Sequence, residues 1–335
     1  MSALVAAVLV AGVLALNAAA EESTIHRMDP TKTIGSDECV DCHEPEHGVW
    51  ENTTHFKTYD ELPASDRATE ITDALDIYDI EAPDGLCVGC HYTLVGETVE
   101  DALPIAGISC ESCHGEAADW VEGHGNYAGG SIDAESEAQK QARIKAAADA
   151  GQIRPAQIHL IARNCLACHT VPNEKLVNVG GHLAGSDFEL VSWSQGEVRH
   201  NLFWSGGEEN RQLTPERKRL LYVVGYATDA EFSLRGLGLS TEAGDYRTAM
   251  TKRVKNAVAK LEEIGGKVQS PQVKAIVSAA SSVNVDAPNS AQLVAAADKI
   301  SGQISAFLKA NDGAALAGID PLLPSGDGHY SEKYP

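Results

Sequence analysis

The chain has 335 residues, of which 43% are hydrophobic, so it is long enough for about two domains with packed cores. It carries 48 acidic and 26 basic residues, a formal net charge of -22, which would repel nucleic acid and anionic lipid and argues against nucleic-acid binding. Only 5% of the residues are aromatic, beside eight cysteines and twelve histidines. This composition suggests that something other than aromatic side chains fills part of the interior.

Residues 1–20 are predicted to be a signal peptide. They contain no charged side chain and end in three alanines, so we expect cleavage after Ala20. The segment lacks the basic residue with which signal peptides normally begin, and its apolar run approaches the length of a membrane-spanning helix, so an uncleaved anchor is the alternative. Both interpretations export the rest of the chain to the periplasm or the cell exterior, with membrane contact only through an uncleaved anchor.

All eight cysteines belong to one motif that occurs four times. In each copy two residues separate the cysteines, and a histidine follows directly. The four copies are Cys39-Val-Asp-Cys42-His43, Cys87-Val-Gly-Cys90-His91, Cys110-Glu-Ser-Cys113-His114 and Cys165-Leu-Ala-Cys168-His169. This motif attaches haem c: the two thiols form thioethers with the haem, and the histidine is the proximal ligand of the iron. The sequence therefore predicts four covalently bound haems c. Their flat apolar rings would fill the part of the interior for which aromatic side chains are lacking.

Three other uses of such cysteines explain the pattern less well. A disulfide framework or a structural zinc site gives no reason for a histidine at the same offset four times. A thioredoxin-type redox pair needs a βαβ context, which the flanking sequence does not offer.

The predicted elements give a mainly α fold. We expect a tetrahaem cytochrome domain of short helices and long loops at residues 21–205, including a helix over residues 134–150. Farther along, the pattern predicts a helical bundle at residues 206–317 and a loop-like tail at residues 318–335. The helix starts in the bundle are marked by Thr214-Pro215, Ser270-Pro271 and Asn289-Ser290, and Met250, Val254, Val258 and Leu261 recur at helical spacing.

Residues 35–170 resemble the tetrahaem cytochromes c-554 of ammonia-oxidising bacteria, which take electrons from hydroxylamine oxidoreductase. The stretches that carry the resemblance are the four motifs with Trp50-Glu-Asn-Thr-Thr-His55, Gly123-His124 and His159-Leu-Ile-Ala-Arg-Asn-Cys165. The last third of the chain has no counterpart in this resemblance.

The second, distal ligand of each iron lies outside the attachment motifs. The resemblance implies distal histidines at His55 and His124, and His159 follows as a candidate, while His182 and His200 compete for any fourth position. It also implies that the haem bound through His91 has no distal side chain and is high-spin, with Tyr92 or Tyr127 as candidates to line an open pocket.

Three functions follow as expectations. The first is an electron carrier between redox proteins, whose donor in the resembling family is a multihaem oxidoreductase. The second is an enzyme that reduces nitric oxide or another small nitrogen compound at an open haem. The third is a subunit of a polymeric cytochrome wire, in which His26 or His329 would ligate a haem of a neighbouring copy.

Charge is distributed unevenly along the chain. Residues 21–100 hold 20 acidic and 4 basic residues, whereas residues 211–260 hold 5 acidic and 10 basic ones. The acidic segment is expected either to pack against the basic one or to steer a basic redox partner.

Overall fold

The computed structural model describes residues 28–324, and it confirms a mainly helical fold. The predicted signal segment, His26, His329 and the end of the predicted tail lie outside these residues. Within residues 28–324, no helix combines the length and the apolar composition needed to cross a membrane.

The first two thirds of the described chain consist mostly of short helices joined by loops. The helices are α1 Asp37–Trp50, α2 Thr54–Glu61, α3 Asp66–Leu75, α4 Val88–His91, α5 Cys110–His114, α6 Val121–His124, α7 Glu137–Asp149, α8 Ile158–His169, α9 Glu174–Asn178 and α10 Leu190–Gln195, followed by a short 3-10 helix, Phe203–Ser205. Between α4 and α5 an antiparallel hairpin pairs β1 (Thr93–Val95) with β2 (Leu103–Ala106). Helix α7 confirms the helix predicted over residues 134–150.

Four helices form the C-terminal bundle, three of them longer than any helix before residue 206. They are α11 Pro215–Leu239, α12 Asp245–Lys267, α13 Pro271–Ser281 and α14 Ser290–Ala310. The side chains of Thr214, Ser270 and Asn289 each accept a hydrogen bond from a backbone N–H in the first turn of the helix that follows, as the sequence predicts. A 3-10 helix, Ala314–Leu322, continues past residue 318, where a loop was expected. It is held there by Arg219, whose guanidinium donates to both carboxylate oxygens of Asp320 at 2.6 and 2.8 Å.

The main hydrophobic core is centred on α11, which is buried around most of its circumference. The core includes Ile158 and Ala162 of α8, Val177 of α9, and Leu190 and Val191 of α10. Gly225 of α11 allows close packing there, because a Cβ at this position would lie only 2.9 Å from the Cβ of Leu190. The bundle and the helix that carries the fourth motif therefore share one core.

A buried ion cluster also joins α11 to α8. Glu231 of α11 is 0% exposed, and its carboxylate binds Arg163 of α8, His159 of α8 (3.3 Å) and Arg235 one turn along its own helix (3.1 Å). Burial alone would raise the pKa of Glu231, but the hydrogen bond from His159 and the charges of Arg163 and Arg235 outweigh it and lower the pKa. The carboxylate therefore stays charged in the folded protein.

We predict that Glu231→Gln lowers the free energy of unfolding by about 3 kcal/mol, because Arg163 loses the carboxylate that it binds and Arg235 keeps only the exposed Asp298. The measurement is urea unfolding of the haem-loaded protein, followed by circular dichroism at helical wavelengths. Glu263→Gln is the control, since Glu263 pairs with Lys260 at the surface of the same bundle and should change stability by about 0.5 kcal/mol or less.

The same variant has a predicted pH dependence. The pKa of Glu231 is lower in the folded protein than in the unfolded chain. The carboxylate therefore stabilises the fold fully above the ordinary pKa of glutamate, and this stabilisation is lost as the pH falls through the pKa of the folded protein. The stability difference between the wild type and Glu231→Gln should therefore shrink in acid. A difference that stays constant from neutral to acidic pH would contradict this origin.

Candidate haem sites

Each attachment motif lies on a helical turn that ends at or near its histidine. Residues three and four apart share one face of a helix, so both cysteines and the histidine of a motif face the same side. Helices α4, α5 and α8 end at His91, His114 and His169. In α1 the helical geometry is interrupted at His43 itself, where φ is -124° and ψ is 35°, two residues before Pro45.

Across from each motif histidine lies one other histidine, and no histidine is shared between pairs. The distance between ring centroids is 6.3 Å for His43 and His124, 6.3 Å for His91 and His182, 6.0 Å for His114 and His200, and 6.1 Å for His169 and His55. The members of each pair are far apart in sequence, so the fold brings them together.

These distances fit two imidazoles on opposite sides of one metal ion. A metal–imidazole bond is about 2 Å long and the ring centre lies roughly 1 Å behind the nitrogen, which places the two centroids about 6 Å apart. The narrow range of the four distances, 6.0 to 6.3 Å, therefore matches a common ligand geometry.

Hydrogen bonds at Nδ1 leave the other ring nitrogen available to a metal. Nδ1–H of His124 donates to the carbonyl oxygen of Val121 (2.5 Å), and that of His114 donates to the carbonyl oxygen of Ile153 (3.2 Å). Histidines that bind metals usually donate their second N–H in this way, which fixes the tautomer. His182 and His200 do the same toward the carbonyl oxygens of Leu183 (2.8 Å) and Val198 (2.6 Å).

Three half-buried motif histidines have lowered pKa values, which favours the neutral imidazole that a metal ligand must be. Burial lowers the pKa of His91, His114 and His169 to about 4. Burial also lowers the pKa of His55 and His124, which are the pair partners of His169 and His43.

The eight cysteines are all free of disulfide bonds and are partly or fully exposed. The thiols of Cys39 and Cys110 are close enough to shift each other's pKa, and the thiol of Cys90 is close enough to raise the pKa of Cys168. Among residues 28–324 no group of three or more His, Cys, Asp or Glu side chains is arranged to hold a bare metal ion. Paired histidines with two thiols beside one of them are the donor set that haem c uses.

The side chains of His159, Tyr127 and Tyr92 contact residues other than the paired histidines. The Nε2 of His159 faces the buried Glu231 at 3.3 Å. The ring of Tyr127 stacks under the guanidinium of Arg143, 4.4 Å from its carbon. Tyr92 is 4% exposed and contacts the edge of Tyr59, and burial raises its pKa to about 12.

Several residues that no motif indicates complete the sites. Phe188 stacks on His169, with centroids 4.4 Å apart and planes 21° apart, and the hydroxyl of Ser186 lies 3.0 Å from Nδ1 of His169. Glu111, inside the third motif, is 1% exposed and accepts backbone N–H bonds from Ile34, Gly35 and Ala117. The sequence gives no local signal for these contacts because their partners are distant along the chain.

Comparison with protein families matches a segment of the chain. Residues 38–115, which contain the first three attachment motifs, match the family model described as cytochrome c554 and c-prime. No curated protein and no solved structure shows a significant match to the chain. The segment that carries the first three motifs is therefore similar to the cytochromes c554, a family of c-type cytochromes that carry electrons on covalently bound haem.

Proposed function

We propose that the protein is an exported tetrahaem c-type cytochrome that carries electrons between redox proteins. The observation that carries this proposal is the set of four histidine pairs at a common separation of 6.0 to 6.3 Å. We assign the axial ligand pairs as His43 with His124, His91 with His182, His114 with His200, and His169 with His55. The thioethers would form at Cys39 and Cys42, Cys87 and Cys90, Cys110 and Cys113, and Cys165 and Cys168.

Haem bound in these sites would supply one-electron exchange between ferric and ferrous iron. The residues of the chain perform the remaining tasks. The cysteines fix the ring covalently, the histidine pairs occupy both of its faces, and the Nδ1 hydrogen bonds hold each imidazole in one orientation. His159 has no place among the ligands, since its Nε2 is directed at Glu231.

Two ligands on every haem favour a carrier over a reductase, because a small nitrogen compound needs an open face on the iron. The resemblance to the cytochromes c-554 implied an open haem at His91. In this chain the ring centroid of His182 lies 6.3 Å from that of His91, which is close to the separation in the other three pairs. We therefore assign no open haem and no substrate pocket to the second motif.

The contacts between motifs support one order of the haems. The neighbouring thiols of Cys39 and Cys110 join the first motif to the third. The side chain of Asn164, just before the fourth motif, donates to the carbonyl oxygen of Ser112 in the third at 2.7 Å. The thiol of Cys168 lies next to Cys90 and 3.9 Å from the carbonyl oxygen of Gly89, which joins the fourth motif to the second. Electrons would thus pass in the order first, third, fourth, second, or in reverse.

This order leaves the first and second motifs at the two ends of the array, and both lie in the acidic segment of residues 21–100. Opposite charges steer redox proteins toward each other, so we propose basic docking faces for the donor and the acceptor. A multihaem oxidoreductase is the proposed class of donor. Members of the matching family are typically periplasmic, which agrees with the proposed export. Because all eight proposed axial ligands belong to one chain, ligation by a neighbouring copy is not needed.

The haem count tests the proposal first. We expect four haems per chain, measured by the absorbance of the alkaline pyridine complex and by intact mass. Replacing Cys87 and Cys90 together by alanine should remove one haem and leave three, because the other motifs do not use these thiols. A wild-type protein with fewer than four covalent haems would contradict the proposal.

The second prediction concerns His182. His182→Ala should convert one low-spin haem to a high-spin form that binds carbon monoxide when reduced, because the variant opens one face of the iron. Optical spectroscopy of the oxidised and reduced protein measures both effects. His159→Ala is the control and should keep all four haems low-spin. A wild-type spectrum in the His182 variant would remove His182 from the ligand set and restore the open-haem expectation.

The third prediction concerns charge. Reoxidation of the reduced protein by a small cationic complex such as hexaammineruthenium(III) should slow as salt is added, because salt screens the attraction to an acidic surface. Stopped-flow measurement with anionic ferricyanide is the matched control, and its rate should rise with salt. The same salt dependence for both reagents would argue against steering by the acidic segment.

A further inference from the structure

We propose that the C-terminal bundle sets the properties of the haem bound by the fourth motif, with Arg253 and Ser186 as positioning residues for His169. This inference rests on the proposed function. It gives a role to the bundle, which contains none of the attachment motifs.

The loop before α10 folds directly over His169. The hydroxyl oxygen of Ser186 lies 3.0 Å from Nδ1 of His169, and the backbone N–H of Ser186 donates to the carbonyl oxygen of His169 at 3.3 Å. Two residues later Phe188 stacks on the imidazole ring. Orientation of His169 therefore depends on where this loop is held.

The bundle holds the loop through Arg253 of α12. Nη1 of Arg253 donates to the carbonyl oxygen of Ser186 at 2.9 Å, and its Nε donates to Asp229 of α11 at 3.0 Å. Asp229 also accepts from the hydroxyl of Ser233 at 3.0 Å. The side chains of Arg253 and Asp229 are only 12% and 16% exposed, so this bridge is largely shielded from solvent.

Gly185 allows the arginine to come this close. Its φ of +80° lies in the left-handed region, and a Cβ there would stand 2.7 Å from Nη1 of Arg253 and 3.1 Å from the carbonyl oxygen of His169. The glycine, the serine and the arginine thus form one connection between the bundle and the fourth motif.

This connection has an electrochemical consequence. An acceptor at Nδ1 makes an imidazole a more basic ligand, which favours ferric over ferrous iron and lowers the reduction potential. His114 makes the corresponding hydrogen bond to the backbone carbonyl oxygen of Ile153, which lies outside the bundle. At His169 the acceptor is a side chain whose position the bundle fixes.

The test is spectroelectrochemical titration of the haem-loaded protein, with the hyperfine-shifted haem methyl signals in proton NMR used to identify the affected haem. Ser186→Ala should raise the potential of the fourth-motif haem and leave the other three unchanged, whereas Ser186→Thr should retain the wild-type value. Arg253→Gln should raise the potential of the same haem. Combining Arg253→Gln with Ser186→Ala should add little, because both act through one hydrogen bond.

Lys255→Ala is the control. Lys255 lies on the same helix as Arg253 but pairs at the surface with Asp286, so its loss should change no potential. If Arg253 acted only by its charge, its loss would lower the potential instead, and this outcome or additive effects would overturn the proposal. An unchanged potential in Ser186→Ala would overturn it as well. These failures are distinct from failure of the proposed function, which would show as fewer than four haems in the wild type.

Discussion

The separation of two imidazoles across one metal ion, about 6 Å between ring centres, is the constraint on which the haem-binding part of this fold depends. Four pairs of histidines meet it, and their eight members come from six different helices and two different loops. Short helices suit this purpose because a helix that ends at its histidine lets the chain leave at once toward the next site. The long loops carry His182 and His200 back to motifs that lie far earlier in the sequence. Haem rings between these pairs would also account for an interior built with few aromatic side chains.

The rest of the molecule is arranged around that constraint. The bundle builds an ordinary side-chain core on α11 and extends it to α8, the helix of the fourth motif. Polar contacts cross the same boundary: Glu231 binds Arg163, and Arg253 binds the backbone of Ser186. The fourth motif is thus packed against the core of the bundle, and no residue of the other three motifs belongs to that core. An electron carrier gains from this arrangement because a rigid ligand changes little in geometry when the iron changes oxidation state.

Local patterns predict much of this structure. The attachment motifs indicate the cysteines and the motif histidines, and the residues Thr214, Ser270 and Asn289 mark helix starts that the structure confirms. The distal histidines are harder to predict, because no local motif marks them. A distal histidine is recognised only by the motif histidine that lies opposite it in the folded chain. His159 has a suggestive position six residues before Cys165, yet its Nε2 faces Glu231, 72 residues away. His182 and His200 could not be distinguished by sequence, and in the structure each lies opposite its own motif histidine. The tail past residue 318 was expected to be a loop because of its prolines and glycines, and the long-range bond from Arg219 to Asp320 holds part of it in a 3-10 helix.

Every haem is proposed to have two histidine ligands. Low-temperature electron paramagnetic resonance of the fully oxidised wild-type protein tests it most directly, because low-spin and high-spin ferric haems give separate signals. We expect low-spin signals from all four haems and no high-spin component. A high-spin signal that integrates to one haem per chain would contradict this expectation, and it would show that one of the histidine pairs does not enclose an iron.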